Sequence, residues 1–202
     1  GAIAKHFVNM IRWYDLDVLI YSSHLSDEAA AQYGARTASL EEIFSTCDYI
    51  SVHTPLVENE DPNVNTKKMI NKDTIATMKD GVRILNFARG ELVNSQAILS
   101  AIESGKVAKY VTDFPTEETV GVEGIVAIPH LGASTEESED NCAVMAAKQL
   151  RNFVENGNIK NSVNYPACDM GVCDNAARIA INHKNIPNML TQFTKVFADK
   201  NI

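Results

Sequence analysis

Four places in this sequence set a polar side chain suited to acid–base or carboxylate chemistry at the end of a short apolar run. His53 follows Asp48 to Val52, Arg89 follows Val82 to Phe87, the acidic segment Asp113 to Glu118 follows Val107 to Val111, and His130 follows Ile125 to Ile128. A histidine exchanges a proton near neutral pH, a guanidinium grips a carboxylate through two parallel hydrogen bonds, and a carboxylate beside a histidine holds its ring. Together these groups suit the interconversion of a 2-hydroxy acid and a 2-keto acid. Taken singly they have plainer readings: His130 as a polar loop residue bonded to backbone or water, Arg89 as half of a surface ion pair. An arginine between Ala88 and Gly90 at a strand end is poorly explained as an ion pair.

For such groups to meet, the runs before them must be parallel strands whose carboxyl ends share one edge of a sheet, where ligands of open α/β sheets bind. The rest of the pattern supports this. Residues 2 to 14 carry Ile3, Phe7, Met10, Ile11 and Tyr14 at helical spacing, and Val18 to Tyr21 reads as a strand. A helix from Ser26 to Tyr33 stops at Gly34, and Ser39 with Glu42 has the spacing of a capping box for a short helix to Thr46. Further helices are expected around Lys72 to Met78, from Ser95 to Ser104, and from Ser134 to Glu155, the last opened by a Ser134–Glu137 capping box and closed by Gly157. Short apolar runs alternating with amphipathic helices predict an α/β fold with a parallel sheet covered on both faces. The polar run ENEDPNVN, 58 to 65, reads as a loop, and Asn158 to Asp174, which holds Pro166 and Gly171, as a linker. Beyond it stand one predicted strand, Arg178 to Ile181, and one helix, Met189 to Asp199, too little to bury a core of their own.

The chain has 202 residues, 45% of them hydrophobic, enough for a substantial core. A net charge of −8 gives a polyanion such as nucleic acid no electrostatic help. No apolar run nears the ~20 residues of a membrane span, and the N-terminus lacks a secretion pattern. Cys47, Cys142, Cys168 and Cys173 form no C-x-x-C pair, so neither a zinc site nor a disulfide framework is indicated, and reduced cysteines in a cytoplasm are the simplest account.

CDYISVHTPL, ILNFARGELV, YVTDFPTEE and AIPHLGAST resemble, in order, the D-isomer-specific 2-hydroxyacid dehydrogenases, and the match runs from Gly1 to about Pro166. RIAINHKNIPNML is similar to the start of an ACT domain. The resemblance implies a Rossmann-like doubly wound parallel sheet lacking its first strand, with 1–157 as the dinucleotide-binding domain, 158–176 as a linker and 177–202 as the beginning of an ACT domain. It also implies NAD as cofactor, a small 2-hydroxy or 2-keto acid as substrate, and a cytoplasmic homo-oligomer that binds neither nucleic acid nor membrane. The ACT-like tail narrows the activity to oxidation of 3-phosphoglycerate on the route to L-serine. The alternatives are another D-2-hydroxy acid, a non-catalytic NAD sensor, or an inert piece of a longer protein; for residues 1–202 alone, weak or no NADH binding and no turnover are expected.

By the same resemblance His130 is the general acid/base on the C2 oxygen, Arg89 holds the substrate carboxylate, and Glu117 is the carboxylate partner of His130, with Glu118 one residue away as a competitor. Gly1, Ala2 and Ile3, the second half of a G-x-G-x-x-G/A turn, would face the cofactor phosphates. Ser22 stands where the family usually places an acidic residue on the ribose, which leaves NAD against NADP open. His53, Thr54, Pro55, Phe87, Ala88, Arg89, His130, Gly132 and Ala133 would line the remaining cofactor site. Asp113 would meet the nicotinamide carboxamide, or Thr112 if FPTE fixes the register. His183 and Asn185 match positions that bind serine in some ACT domains.

Overall fold

The structure is a computed structural model that describes residues 1–61, 64–184 and 186–201. The chain forms two compact units, Gly1–Leu131 and Gly132–Ile202.

In the first unit, β1 (Val18–Ile20) and β2 (Ala35–Thr37) make a two-stranded parallel sheet. Strands β3 (Tyr49–Val52), β4 (Val82–Asn86), β5 (Val107–Thr112) and β6 (Ile125–Ala127) make a four-stranded parallel sheet in that order. No strand among the described residues joins the two sheets. The break falls where the doubly wound order places its first strand, between the strand that follows it and the fourth. Register fixes what the four-stranded sheet presents at its carboxyl edge: Val52 pairs with Asn86, Asn86 with Thr112, and Thr112 with Ala127. His53, Phe87, Asp113 and Ile128 therefore leave the sheet side by side.

Helix α1 (Ala2–Ile11) leads into β1, and α2 (Asp27–Ala31), α3 (Leu40–Thr46), α4 (Lys72–Thr77) and α5 (Ser95–Glu103) carry the chain between successive strands. Their starts are set by side chains that accept otherwise unpaired first-turn N–H groups: Ser26 from Ala29, Ser39 from Glu42, and Asn94 from Ala97. Asn71 forms a full capping box with Thr74. The core lies between α3, α4 and α5 and one face of the larger sheet, where Phe44, Ile75, Met78 and Ile98 pack with Ile50, Val52, Ile84 and Val107.

The other face carries a different row of side chains. Tyr49, Arg83 and Lys109 form a cross-strand row on it, Tyr49 is 61% exposed, and the Arg83 guanidinium stands 5.1 Å from the Tyr49 ring centroid. Burial alternates along β4, and along β5 from Lys109 onward once the irregular register at Val107 is passed, because one face meets the helices.

The second unit holds α6 (Glu136–Asn156) and α7 (Met189–Asp199). The cap of α6 is Thr135, whose hydroxyl accepts from the Ser138 N–H, so the predicted Ser134–Glu137 box is displaced by one residue. Gly157, at φ 71°, closes the helix in the left-handed conformation. The segment expected to be a bare linker folds back on α6: buried Asn158 donates to Asn152 Oδ1 and the Gly171 carbonyl and accepts from the Met170 N–H. The strand expected over Arg178 to Ile181 does not form. No described strand offers it a ladder, and Arg178 instead donates to the carbonyls of Asn156, Gly171 and Val172. No helix among the described residues is long and apolar enough to cross a membrane.

Candidate active site

His130 lies three residues beyond β6, and the Ile128 N–H, bonded to the Thr112 carbonyl, carries the ladder one step toward it. Its Nδ1 is 2.7 Å from Asp113 Oδ2, and its ring lies 4.6 Å, centroid to centroid, from that of Phe114. Because a carboxylate only accepts, the Nδ1 hydrogen points to Asp113 and Nε2 is left for proton exchange. The His130 side chain is 53% exposed and that of Asp113 only 11%. The second oxygen of Asp113, Oδ1, is buried and has no hydrogen-bond partner among the described residues. An acceptor in that state costs about 1–3 kcal/mol unless a donor arrives. A bound ligand's N–H group is one such donor.

Glu117, expected as the partner of His130, does not bond to it. Glu117 and Glu118 are exposed in a turn closed by Thr116 and Thr119, whose backbone and hydroxyl groups bond to each other. Asp113 takes the place because it is the first residue past β5, in line with the end of β6. Thr112 is fully buried, its hydroxyl accepting from the Phe114 N–H, so it presents nothing to a ligand.

Arg89 is exposed, with Nη1 donating to the Ala88 carbonyl at 2.7 Å, and its backbone opens a 3-10 turn over Gly90–Leu92. The backbone that presents it is clamped by Asn86, a side chain with no exposed surface: Nδ2 donates to the Arg89 carbonyl at 2.9 Å and Oδ1 accepts from the Ala88 N–H at 3.2 Å. A Cβ on Gly90 would stand 3.2 Å from Phe114 Cβ, so the turn carrying Arg89 rests against the residue that packs on His130. Asn86 and Phe114 were missed as site residues. The signals were a lone amide at the end of an apolar run and an aromatic directly after Asp113.

The other candidates distribute as follows. Gly1 caps α1 without a side-chain bond, and Ala2 and Ile3 lie in its first turn, the positive end of the helix dipole. Ser22 follows β1, its hydroxyl accepting from the His24 N–H. His53 shares a 2.9 Å hydrogen bond with the Ser51 hydroxyl and packs against Phe7. Burial lowers its pKa. Thr54 and Pro55 continue from it, the Pro55 carbonyl accepting from Thr66. Phe87 is partly exposed, whereas Ala88 packs against the core. Gly132 and Ala133 belong to the second unit, before α6. His183, also there, donates to the Lys184 carbonyl and stands edge-on to Phe193; Asn185 lies outside the described residues.

Residues 1–133 match the family described as D-isomer specific 2-hydroxyacid dehydrogenase, NAD binding domain. The D-3-phosphoglycerate dehydrogenases of Bacillus subtilis (strain 168) and Homo sapiens are each 34% identical to it over 173 residues, which are 83% of this chain. The match covers 32% and 31% of their lengths, so the chain spans about a third of these relatives. A glyoxylate reductase from Paecilomyes thermophila superposes with a TM-score of 0.68 at 27% identity, covering 81% of this chain and 50% of that one.

Proposed function

Because this chain belongs to the D-isomer-specific 2-hydroxyacid dehydrogenase family, we propose that it is the cofactor-binding and proton-transfer part of an NAD-dependent dehydrogenase. Its proposed substrate is 3-phosphoglycerate, oxidised to 3-phosphohydroxypyruvate on the route to L-serine. Similarity to the two phosphoglycerate dehydrogenases supports that choice over another D-2-hydroxy acid. The observation that carries the reading is His130, with Nδ1 committed to a carboxylate and Nε2 available, on the same sheet edge as Arg89.

In this reading Arg89 grips the substrate carboxylate and His130 takes the proton of the C2 hydroxyl during oxidation, returning it in the reverse direction. NAD, when bound, supplies the acceptor for the hydride that leaves C2. The unpaired N–H groups at the start of α1 suit its pyrophosphate, with Gly1, Ala2 and Ile3 against it. Ser22 would face the ribose. His53, Thr54, Pro55, Phe87 and Ala88 would complete this unit's part of the cofactor site, and Asp113 Oδ1 suits its carboxamide. The domain division at 157 and 177, the ACT identity of the tail, assembly as a homo-oligomer and serine sensing through His183 and Asn185 are proposals about the whole protein. A rate that stays flat in millimolar serine would remove the last.

Steady-state kinetics of the complete enzyme test the core of the proposal. His130→Ala lowers kcat at least ~100-fold, the lower end of what a positioned proton carrier contributes. Arg89→Lys, which loses the two-pronged grip, lowers kcat and raises KM. An unchanged kcat in the first variant, or unchanged constants in the second, would take that residue out of the mechanism. Comparing the dissociation constants of NADH and NADPH tests the cofactor choice at Ser22.

A further inference from the structure

We propose that Asn156–Gly157 is a site of spontaneous amide-to-carboxylate conversion, held closed by the segment that folds back on α6, so that opening of that segment starts an irreversible change at the end of the helix. It is the one Asn–Gly step in the sequence. Glycine has no Cβ to shield its backbone nitrogen or restrict its dihedrals, so at this step the nitrogen reaches the asparagine side chain most easily. The chemistry needs only water. The Gly157 nitrogen bonds to Cγ of Asn156, its hydrogen leaves with Nδ2 as ammonia, and a five-membered imide remains. Water then opens the ring. Opening at Cγ leaves an ordinary aspartate, and opening at the backbone carbonyl carbon leaves the chain running through the side chain, one methylene longer.

The folded chain engages both groups the reaction needs. The Gly157 N–H donates to the Phe153 carbonyl at 2.8 Å, which commits that nitrogen to the helix end. The Asn156 amide is held from both sides: Nδ2 donates to Asn152 Oδ1 at 2.9 Å, and Oδ1 accepts from the Cys173 N–H at 2.8 Å. Its backbone carbonyl accepts from Arg178 Nη1 at 2.9 Å, and the same guanidinium donates to the Gly171 and Val172 carbonyls, pinning the returning segment there. The last turn of α6 carries no basic residue, so Arg178 also meets the negative end of the helix dipole. Cover is close as well, since a Cβ on Gly157 would stand 3.0 Å from Ala180 Cβ and 3.1 Å from Met170 Cε. The closure is thus made by residues 152, 173 and 178, none of which takes part in the reaction. Conversion removes the Nδ2 donor and sets a negative charge at the negative end of the helix, so the closure cannot be remade as it was.

Timed incubation of the 202-residue chain at mildly alkaline pH, folded or in guanidinium chloride, tests this. Trypsin then releases Asn152–Lys160, and tandem mass spectrometry reads the carboxyl at position 156, with exposed Asn161, before Ser162, as the reference. Conversion at 156 is at least ~10-fold slower in the folded chain than in denaturant, because it tracks the population of the open form. Arg178→Ala raises the folded rate at 156 about tenfold and Asn152→Ala about fivefold, while the rate at Asn161 stays as in the parent. Alanine favours helix, so Asn152→Ala keeps α6, as circular dichroism verifies, and it decides the matter if Arg178→Ala unfolds the second unit. Asn156→Gln, which would have to close a six-membered ring, stays unconverted. No conversion at 156 in denaturant overturns the site. A folded rate equal to the denatured one overturns the protection, and a parent-like rate at 156 in either folded variant overturns the returning segment as its source.

Discussion

Replacing Asn86 by leucine tests how the chain presents Arg89. The leucine is of similar size but offers neither donor nor acceptor. Its cost follows from the bonds described. Asn86 makes two side-chain hydrogen bonds to the following loop, one to the Arg89 carbonyl and one from the Ala88 N–H. The Arg89 carbonyl keeps the Leu92 N–H at 3.3 Å, so loss of its bond from Asn86 costs about 1 kcal/mol net, whereas the Ala88 N–H loses its acceptor beside a buried side chain, at about 1–3 kcal/mol. The expected loss is therefore about 2–4 kcal/mol, read as a lower urea midpoint at unchanged slope. A local readout accompanies it. Trypsin cleaves after arginine, and with the clamp gone the bond after Arg89 is cut faster under native conditions, the product being identified by mass. A loss below about 1 kcal/mol with unchanged cleavage after Arg89 would refute the claim that Asn86 holds this loop.

At Gly90 the predicted effect is steric: Gly90→Ala sets a methyl 3.2 Å from Phe114 Cβ and costs about 1 kcal/mol while shifting the His130 ring proton resonances, and an unchanged midpoint and spectrum would contradict it. His53 predicts a pH dependence, because burial lowers its folded-state pKa below the unfolded value of about 6.5. Its contribution to stability is present above that value and is lost as pH falls through the folded one. His53→Asn should therefore lose less stability than the parent between about pH 7.5 and about pH 5.5, and equal losses would count against it. At the start of α6, Thr135→Ala should cost about 1 kcal/mol and Ser134→Ala less than about 0.5, as judged by thermal melting; the opposite ranking would restore Ser134 as the cap.

Most elements were legible because each is announced by its own chemistry: Ser26 and Ser39 before their helices, Gly34 and Gly157 after theirs, and an apolar run for each strand of the larger sheet. β2, only Ala35–Thr37, has no such run and exists because its backbone pairs with β1. Arg178 to Ile181 has the run but no partner, and the structure leaves it without a ladder. Ser134 and Thr135 are nearly equivalent as caps, so a one-residue displacement carries little signal. At the site, His130 and Arg89 were readable from strand ends. The carboxylate that meets His130 was not, since Asp113, Glu117 and Glu118 lie within six residues and only the path of the loop separates them. Asn86 reads as one more residue of the run Val82 to Phe87, because nothing in its neighbours reveals that its amide turns back on the loop.

The sheet order has a bearing on how this site comes into being. Since β3, β4, β5 and β6 pair with their successors in the chain, every ladder joins segments separated by a single crossover, and no strand waits for a distant one. Assembly can follow synthesis from one end to the other. The loop bearing Arg89 is anchored once β4 is laid down, Asp113 is set with β5, and His130 arrives with β6, so the bond between them is the last to close. A chain that ended before Ile125 would carry Arg89 and Asp113 and lack the histidine that meets the carboxylate.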